Sequence, residues 1–186
     1  MKRLLKIGLV VSVACTILNG CGSSNGLQEK DVIVFLGDSI TEQGVQPDGY
    51  VTLVSKRIAE AYPDLGINVI GAGIGGHKVP DCQERLDRDV LQKNPTIVVI
   101  YIGINDVWHW NRDQGTPIDI FEAGLKDMIS KINAAGARVI LCTPTVIGEK
   151  TDGTNEYDKM LKDYSNVSRK VAKETGSQML ICEKDL

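Results

Sequence analysis

Aromatic residues make up only 5% of this 186-residue chain, too few for a base-stacking platform or a long aromatic groove. Basic charge is short as well: 21 Lys and Arg stand against 24 Asp and Glu, a formal net charge of -3. A basic surface for nucleic acid is excluded on that balance. The 19 glycines show no G-X-Y period, which excludes collagen and leaves tight turns as their use. The five cysteines show no C-x-x-C spacing, so a zinc site has no support and no metal is expected. Histidine is confined to His77 and His109. No internal repeat is visible. What is present is 42% apolar and 24% charged residues, the balance of a folded, soluble domain, at a length suited to one domain.

The first residues read as an address. Lys2, Arg3 and Lys6 precede an apolar run from Ile7 to Leu18, too short to span a bilayer as a mature helix. The run ends in Leu18-Asn19-Gly20-Cys21, which resembles a bacterial lipoprotein signal cleaved before Cys21. The alternative is a plain secretory signal with an incidental cysteine. The resemblance implies a signal peptide over 1-20, a lipid on Cys21 and a flexible tether over 21-30. Losing Lys2, Arg3 and Lys6 takes the basic count from 21 to 18 against 24 acids, net -6. Such a body does not seek anionic headgroups by charge. The expected place is the cell envelope, membrane-anchored through the lipid and facing outside the cytoplasm. Of the other cysteines Cys15 leaves with the signal. Cys142 and Cys182 sit in apolar runs and read as buried thiols. With Cys82 they allow at most one disulfide within the chain.

From Asp31 onward strand-like and helix-like segments alternate. Val32–Leu36, Ile67–Ile70, Thr96–Ile102, Arg138–Cys142 and Gln178–Cys182 are short apolar runs, hence buried strands. Between them, helical spacing marks Tyr50–Tyr62, Asp81–Lys93 (Cys82, Leu86 and Val90 on one face), a helix opened by Pro117 (Phe121, Leu125, Met128, Ile129, Ile132) and one lined by Tyr157, Leu161, Tyr164 and Val171. The order predicts an α/β fold over 31-186, a parallel five-stranded sheet between two helical layers. Irregular stretches follow Gly37, Gly71, Gly103 and Thr143, all at carboxyl ends of strands, where open α/β sheets hold their ligands.

Three of these stretches carry chemistry-bearing motifs: Gly37-Asp38-Ser39-Ile40, Gly71-Ala72-Gly73-Ile74-Gly75-Gly76 and Gly103-Ile104-Asn105-Asp106. Together they resemble the SGNH, or GDSL, family of serine hydrolases, from Asp31 to about Cys182. The resemblance implies a flavodoxin-like three-layer fold, no cofactor, Ser39 as nucleophile, and Gly76 and Asn105 as oxyanion donors. Serine chemistry needs such a set: a base to take the hydroxyl proton and donors aimed at the developing oxyanion. Asp38 and Asp106 read mainly as loop-stabilising groups at the substrate site. His77, Trp108 and His109 read as residues lining the acyl or sugar pocket.

The glycines also match the dinucleotide fingerprint G-x-G-x-x-G literally. However, they follow the second strand, His77–Pro80 intervenes before a helix, and no acidic ribose partner follows. A non-enzymatic glycan-binding lipoprotein on the same fold is a further alternative. The family's Asp-x-x-His block has no match near the carboxyl end, so the resemblance implies a missing catalytic histidine and little activity in the chain as written, either because a final segment is missing or because this is a catalytically incomplete homologue. Asp106-Val107-Trp108-His109 has the spacing internally, with Asp106 as a candidate to orient His109. The expected reaction is hydrolysis of an acetyl or short-acyl ester, on a carbohydrate or small alcohol. Lysophospholipase or thioesterase activity is the alternative within the class.

Overall fold

The computed structural model describes residues 26-148 and 154-182. Met1 to Asn25, with the signal and Cys21, lies outside these residues, as does Glu183 to Leu186. Five strands, β1 (Val32–Gly37), β2 (Asn68–Gly73), β3 (Ile97–Tyr101), β4 (Arg138–Cys142) and β5 (Gln178–Leu180), form one sheet. Their order is β2-β1-β3-β4-β5 and every pair is parallel. The helices are α1 (Ser39–Gly44), α2 (Tyr50–Ala61), α3 (Val79–Glu84), α4 (Leu86–Asp89), α5 (Ile104–Trp108), α6 (Ile118–Ala134) and α7 (Asp158–Thr175).

Strand residues alternate between two cores because successive side chains leave opposite faces. Val34, Leu36, Val98, Ile100, Val139 and Leu141 join α3, α6 and α7 on one face. Ile33, Phe35, Ile97, Val99, Ile140 and Cys142 join Tyr50, Val51, Val54 and Ile58 of α2 on the other. The two-sided burial explains the unbroken apolar runs. Helix α6 buries Phe121, Leu125, Met128, Ile129 and Ile132 completely, the face its spacing predicts. Fully burying a side chain of this size contributes about 1.5–3 kcal/mol. Helix α7 ends at Gly176 in the left-handed conformation, φ +69°, a common helix stop.

Two expectations change. Asp81–Lys93 is not one helix: it is α3, α4 and a 3-10 turn over Leu91–Lys93, broken at Arg85. The break turns the Arg85 side chain inward, where it bonds strand ends. The expected tether to residue 30 also ends early, since Leu27 packs on the α2-side core and the Lys30 N–H bonds Leu65 O at 2.7 Å.

The strand order reverses direction from β1, with β2 to one side and β3 to the other. This is the switch point at which such sheets open a crevice at their carboxyl ends. No helix among the described residues is long and apolar enough to cross a membrane.

Candidate active site

Strand β1 ends at Gly37, and Asp38 caps α1 by accepting the Ile40 N–H on Oδ1 at 2.9 Å. The cap sets Ser39 in the first turn of α1, half-buried at the sheet edge. No side chain among the described residues is hydrogen-bonded to the Ser39 hydroxyl. Strand β2 closes on α1 at Gly73: a Cβ there would lie 2.1 Å from Glu42 N and 2.7 Å from Asp38 O, both backbone atoms. Only glycine permits that approach.

The chain then turns. His77 N–H bonds Ile74 O at 3.3 Å, and Gly76 at the third position has φ +76°. A positive φ there is the mark of a type II turn, which glycine adopts without strain. The turn stands beside Ser39, since a Cβ on Gly75 would lie 3.8 Å from Ser39 Cβ.

Strand β3 delivers the third loop. Gly103 has φ +124°, and a Cβ there would strike Pro144 Cγ at 2.6 Å. Helix α5 follows and buries Asn105, which donates an Nδ2–H to His77 O at 3.0 Å. An amide nitrogen has two hydrogens, so one holds the glycine turn and the other remains to act. Asp106 is completely buried and its Oδ1 accepts the Val79 N–H at 3.1 Å, which caps α3 from a distant loop. The structure therefore brings together Ser39, the Gly75-Gly76 turn, His77 and Asn105.

Asp38 and Asp106, expected at the substrate site, are buried behind this group, and both are used on backbone N–H groups. Burial pushes Asp38 up to about 6, helped by the nearby Asp106 charge and opposed by the Ile40 N–H. Burial also pushes Asp106 up to about 6, opposed by the Thr116 hydroxyl and the Val79 N–H. The candidate pairing of Asp106 with His109 is not formed, because the Asp106 carboxylate turns inward to α3. His109 sits on a 3-10 turn, His109–Arg112. Its pKa is lowered by burial and by Lys78 and Arg112, with Asp81 opposing. Trp108 is 45% exposed. Trp110 is anchored through an Nε1–H to the Tyr164 hydroxyl at 3.3 Å.

A shallow notch beside α1 is lined by Asp38, Ile40, Tyr101, Ile102, Ile104, Pro144 and Thr145. Among the described residues no three His, Cys, Asp or Glu side chains are grouped to hold a metal. Cys82, Cys142 and Cys182 are free thiols. One residue central to the site went unread in the sequence. Arg85 is buried beneath the loops and bonds Gly37 O, Ala72 O and the His77 ring. An arginine inside an apparently amphipathic helix reads as part of its solvated face.

The GDSL-like lipase/acylhydrolase family pattern matches residues 35–180. The chain belongs to that family. It is accordingly a hydrolase of ester bonds. An acetylxylan esterase of Geobacillus stearothermophilus is 34% identical over 164 residues, covering 78% of this chain and 73% of that protein. An isoamyl acetate-hydrolyzing esterase 1 homolog of Rattus norvegicus is 26% identical, over 80% of this chain and 65% of that protein. The crystal structure of an acetyl xylan esterase, AlAXEase, superposes with a TM-score of 0.78 at 41% identity, covering 81% of this chain and 77% of that one. The family's three-layer α/β arrangement and this chain's five-stranded parallel sheet agree.

Proposed function

We propose that this protein is a carbohydrate acetyl esterase that works through an acyl-enzyme on Ser39. The observation that carries the reading is the meeting of three loops at the β1/β3 switch point. They set a serine hydroxyl beside a glycine turn and an asparagine amide already held in place. The likeness to acetylxylan esterases supports acetyl as the acyl group. The isoamyl acetate-hydrolyzing relative shares the acetyl group and differs in the alcohol.

In the reaction, Ser39 Oγ attacks the ester carbonyl carbon. The carbonyl oxygen gains negative charge and is received by the Ser39 N–H, the Gly76 N–H and the free Asn105 Nδ2–H. These donors are fixed before substrate arrives, and such preorganised stabilisation is usually the largest single contribution to catalysis. Collapse expels the sugar alcohol and leaves acetyl on Ser39; water then releases acetate. A general base must take the Ser39 proton and give it to the departing sugar oxygen, then take a proton from the attacking water and return it to Ser39. We assign this role to neither histidine of the chain. The His77 Nδ1 already accepts from Arg85, and His109 has no bonded carboxylate to orient it. Trp108, exposed at the end of α5, offers a face for the sugar ring. We further propose, from the sequence alone, that Cys21 carries a lipid that tethers the enzyme outside the cytoplasm.

The test is acetate release from acetylated xylo-oligosaccharide, alongside p-nitrophenyl esters of increasing length. The reading predicts the highest kcat/KM on acetyl and a steep decline by octanoyl. Preference for octanoyl or for a thioester indicates the long-chain or thioesterase alternative.

A further inference from the structure

A guanidinium removed from water is costly unless its donors are matched. Arg85 is 4% exposed, and each of its five N–H groups has a partner. Nε–H bonds His77 Nδ1 at 3.1 Å; Nη1 bonds Ala72 O at 2.9 Å and Asp89 Oδ2 at 3.2 Å; Nη2 bonds Gly37 O at 2.8 Å and Cys82 Sγ at 3.4 Å. These partners are not scattered. Gly37 stands two residues before Ser39. Ala72 is the penultimate residue of β2, just before the glycine turn. His77 adjoins Gly76, and its carbonyl holds the Asn105 amide. One rigid planar group thus touches the segments that bear the Ser39 and Gly76 donors and reaches the Asn105 donor through His77.

We propose that Arg85 is the positioning residue of the oxyanion site: its fork fixes the Ser39, Gly76 and Asn105 donors relative to one another. Because its Nε–H is donated to His77 Nδ1, the neutral His77 ring carries its proton on Nε2. Arg85 touches no substrate atom and acts through Gly37, Ala72 and His77. Lysine cannot substitute, since a single ammonium lacks the fork that reaches two carbonyls and a ring at once. Asp89, outside the site, restrains the fork through Nη1 and is itself gripped by Arg88 at 2.7 Å.

This inference rests on the Ser39 reading above, and the measurements separate the two. In the full-length protein, Arg85→Lys is expected to lower kcat on p-nitrophenyl acetate about 10–100-fold with KM within about threefold, as misplacement by about 1 Å does. Nitrogen-15 spectra should show His77 with a bare Nδ1 in the wild type and a tautomer mixture in Arg85→Lys. A purely structural arginine changes neither the kcat-to-KM split nor the tautomer. Should Arg85→Lys fail to fold, Asp89→Asn decides. It leaves the arginine in place and is expected to cost about 3–10-fold in kcat at unchanged KM. Full kcat in a folded Arg85→Lys, or in Asp89→Asn, overturns the positioning role, as does an unchanged His77 tautomer. Full activity in Ser39→Ala overturns the Ser39 reading and this inference with it. Loss in Ser39→Ala beside full kcat in Arg85→Lys overturns the inference alone.

Discussion

Asn105 donates a side-chain N–H to the main-chain carbonyl of His77 across 3.0 Å, joining the loop after β3 to the glycine turn after β2. The bond aims the amide and leaves its second hydrogen free. Removing one oxyanion donor typically costs about 10²–10³ in kcat. Asn105→Ala should therefore lower kcat by that order and leave KM nearly unchanged. Steady-state kinetics on p-nitrophenyl acetate checks this. A rise in KM at constant kcat makes Asn105 a substrate contact instead.

Gly73→Ala places a methyl 2.1 Å from Glu42 N and 2.5 Å from Thr41 C. Backbone cannot yield as a side chain can, so α1 and Ser39 must move. The expected cost is at least the 1–3 kcal/mol or so of an overpacked core, with activity falling further than stability. Gly66→Ala is the control. It has φ +59° and nothing within 4 Å of an added Cβ, so it carries only the left-handed penalty of about 1–2 kcal/mol and spares the site. Chemical denaturation and kinetics of the two variants give the comparison.

Asp38 and Asp106 each rise from 3.8 to about 6. A carboxyl whose folded pKa is raised binds more protons folded than unfolded. Its contribution to stability is greatest below about pH 4 and is lost as pH rises toward 6. About two units correspond to roughly 3 kcal/mol per group. Asp38→Asn, which cannot ionise, should therefore gain on the wild type as pH rises from 4 to 6. Urea unfolding across that range is the measurement. A pH-independent difference shows that Asp38 titrates normally in the folded protein.

Cys21→Ser tests the address. One acyl chain binds a membrane only marginally, whereas several on one cysteine anchor it stably. The variant is expected as an uncleaved precursor or a soluble product after cell fractionation. Normal processing and membrane recovery contradict the lipid anchor.

Periodicity made much of the fold readable. β4 was legible to the residue at Arg138–Cys142, and the buried face of α6 from Phe121 to Ile132, because burial on a sheet or helix imposes a period on the residues themselves. The motifs around Ser39, Gly76 and Asn105 were legible because turns and close approaches demand glycine at fixed places. What escaped reading depends on partners distant in sequence. The break at Arg85 follows from carbonyls at Gly37 and Ala72, 48 and 13 residues away. The D-x-x-H spacing of Asp106 and His109 suggested a pair, yet the Asp106 carboxylate caps α3 at Val79, 27 residues back. Helix α1 is too short to show a period at all.

The most direct test is active-site labelling of the full-length protein with a fluorophosphonate, read by peptide mass spectrometry beside acetate release. The phosphonyl group reports an activated serine, and its oxygen occupies the oxyanion position. The account predicts a single label on Ser39, slower labelling in Asn105→Ala, and loss of both label and acetate release in Ser39→Ala. Label on another serine, or acetate release unchanged in Ser39→Ala, contradicts it.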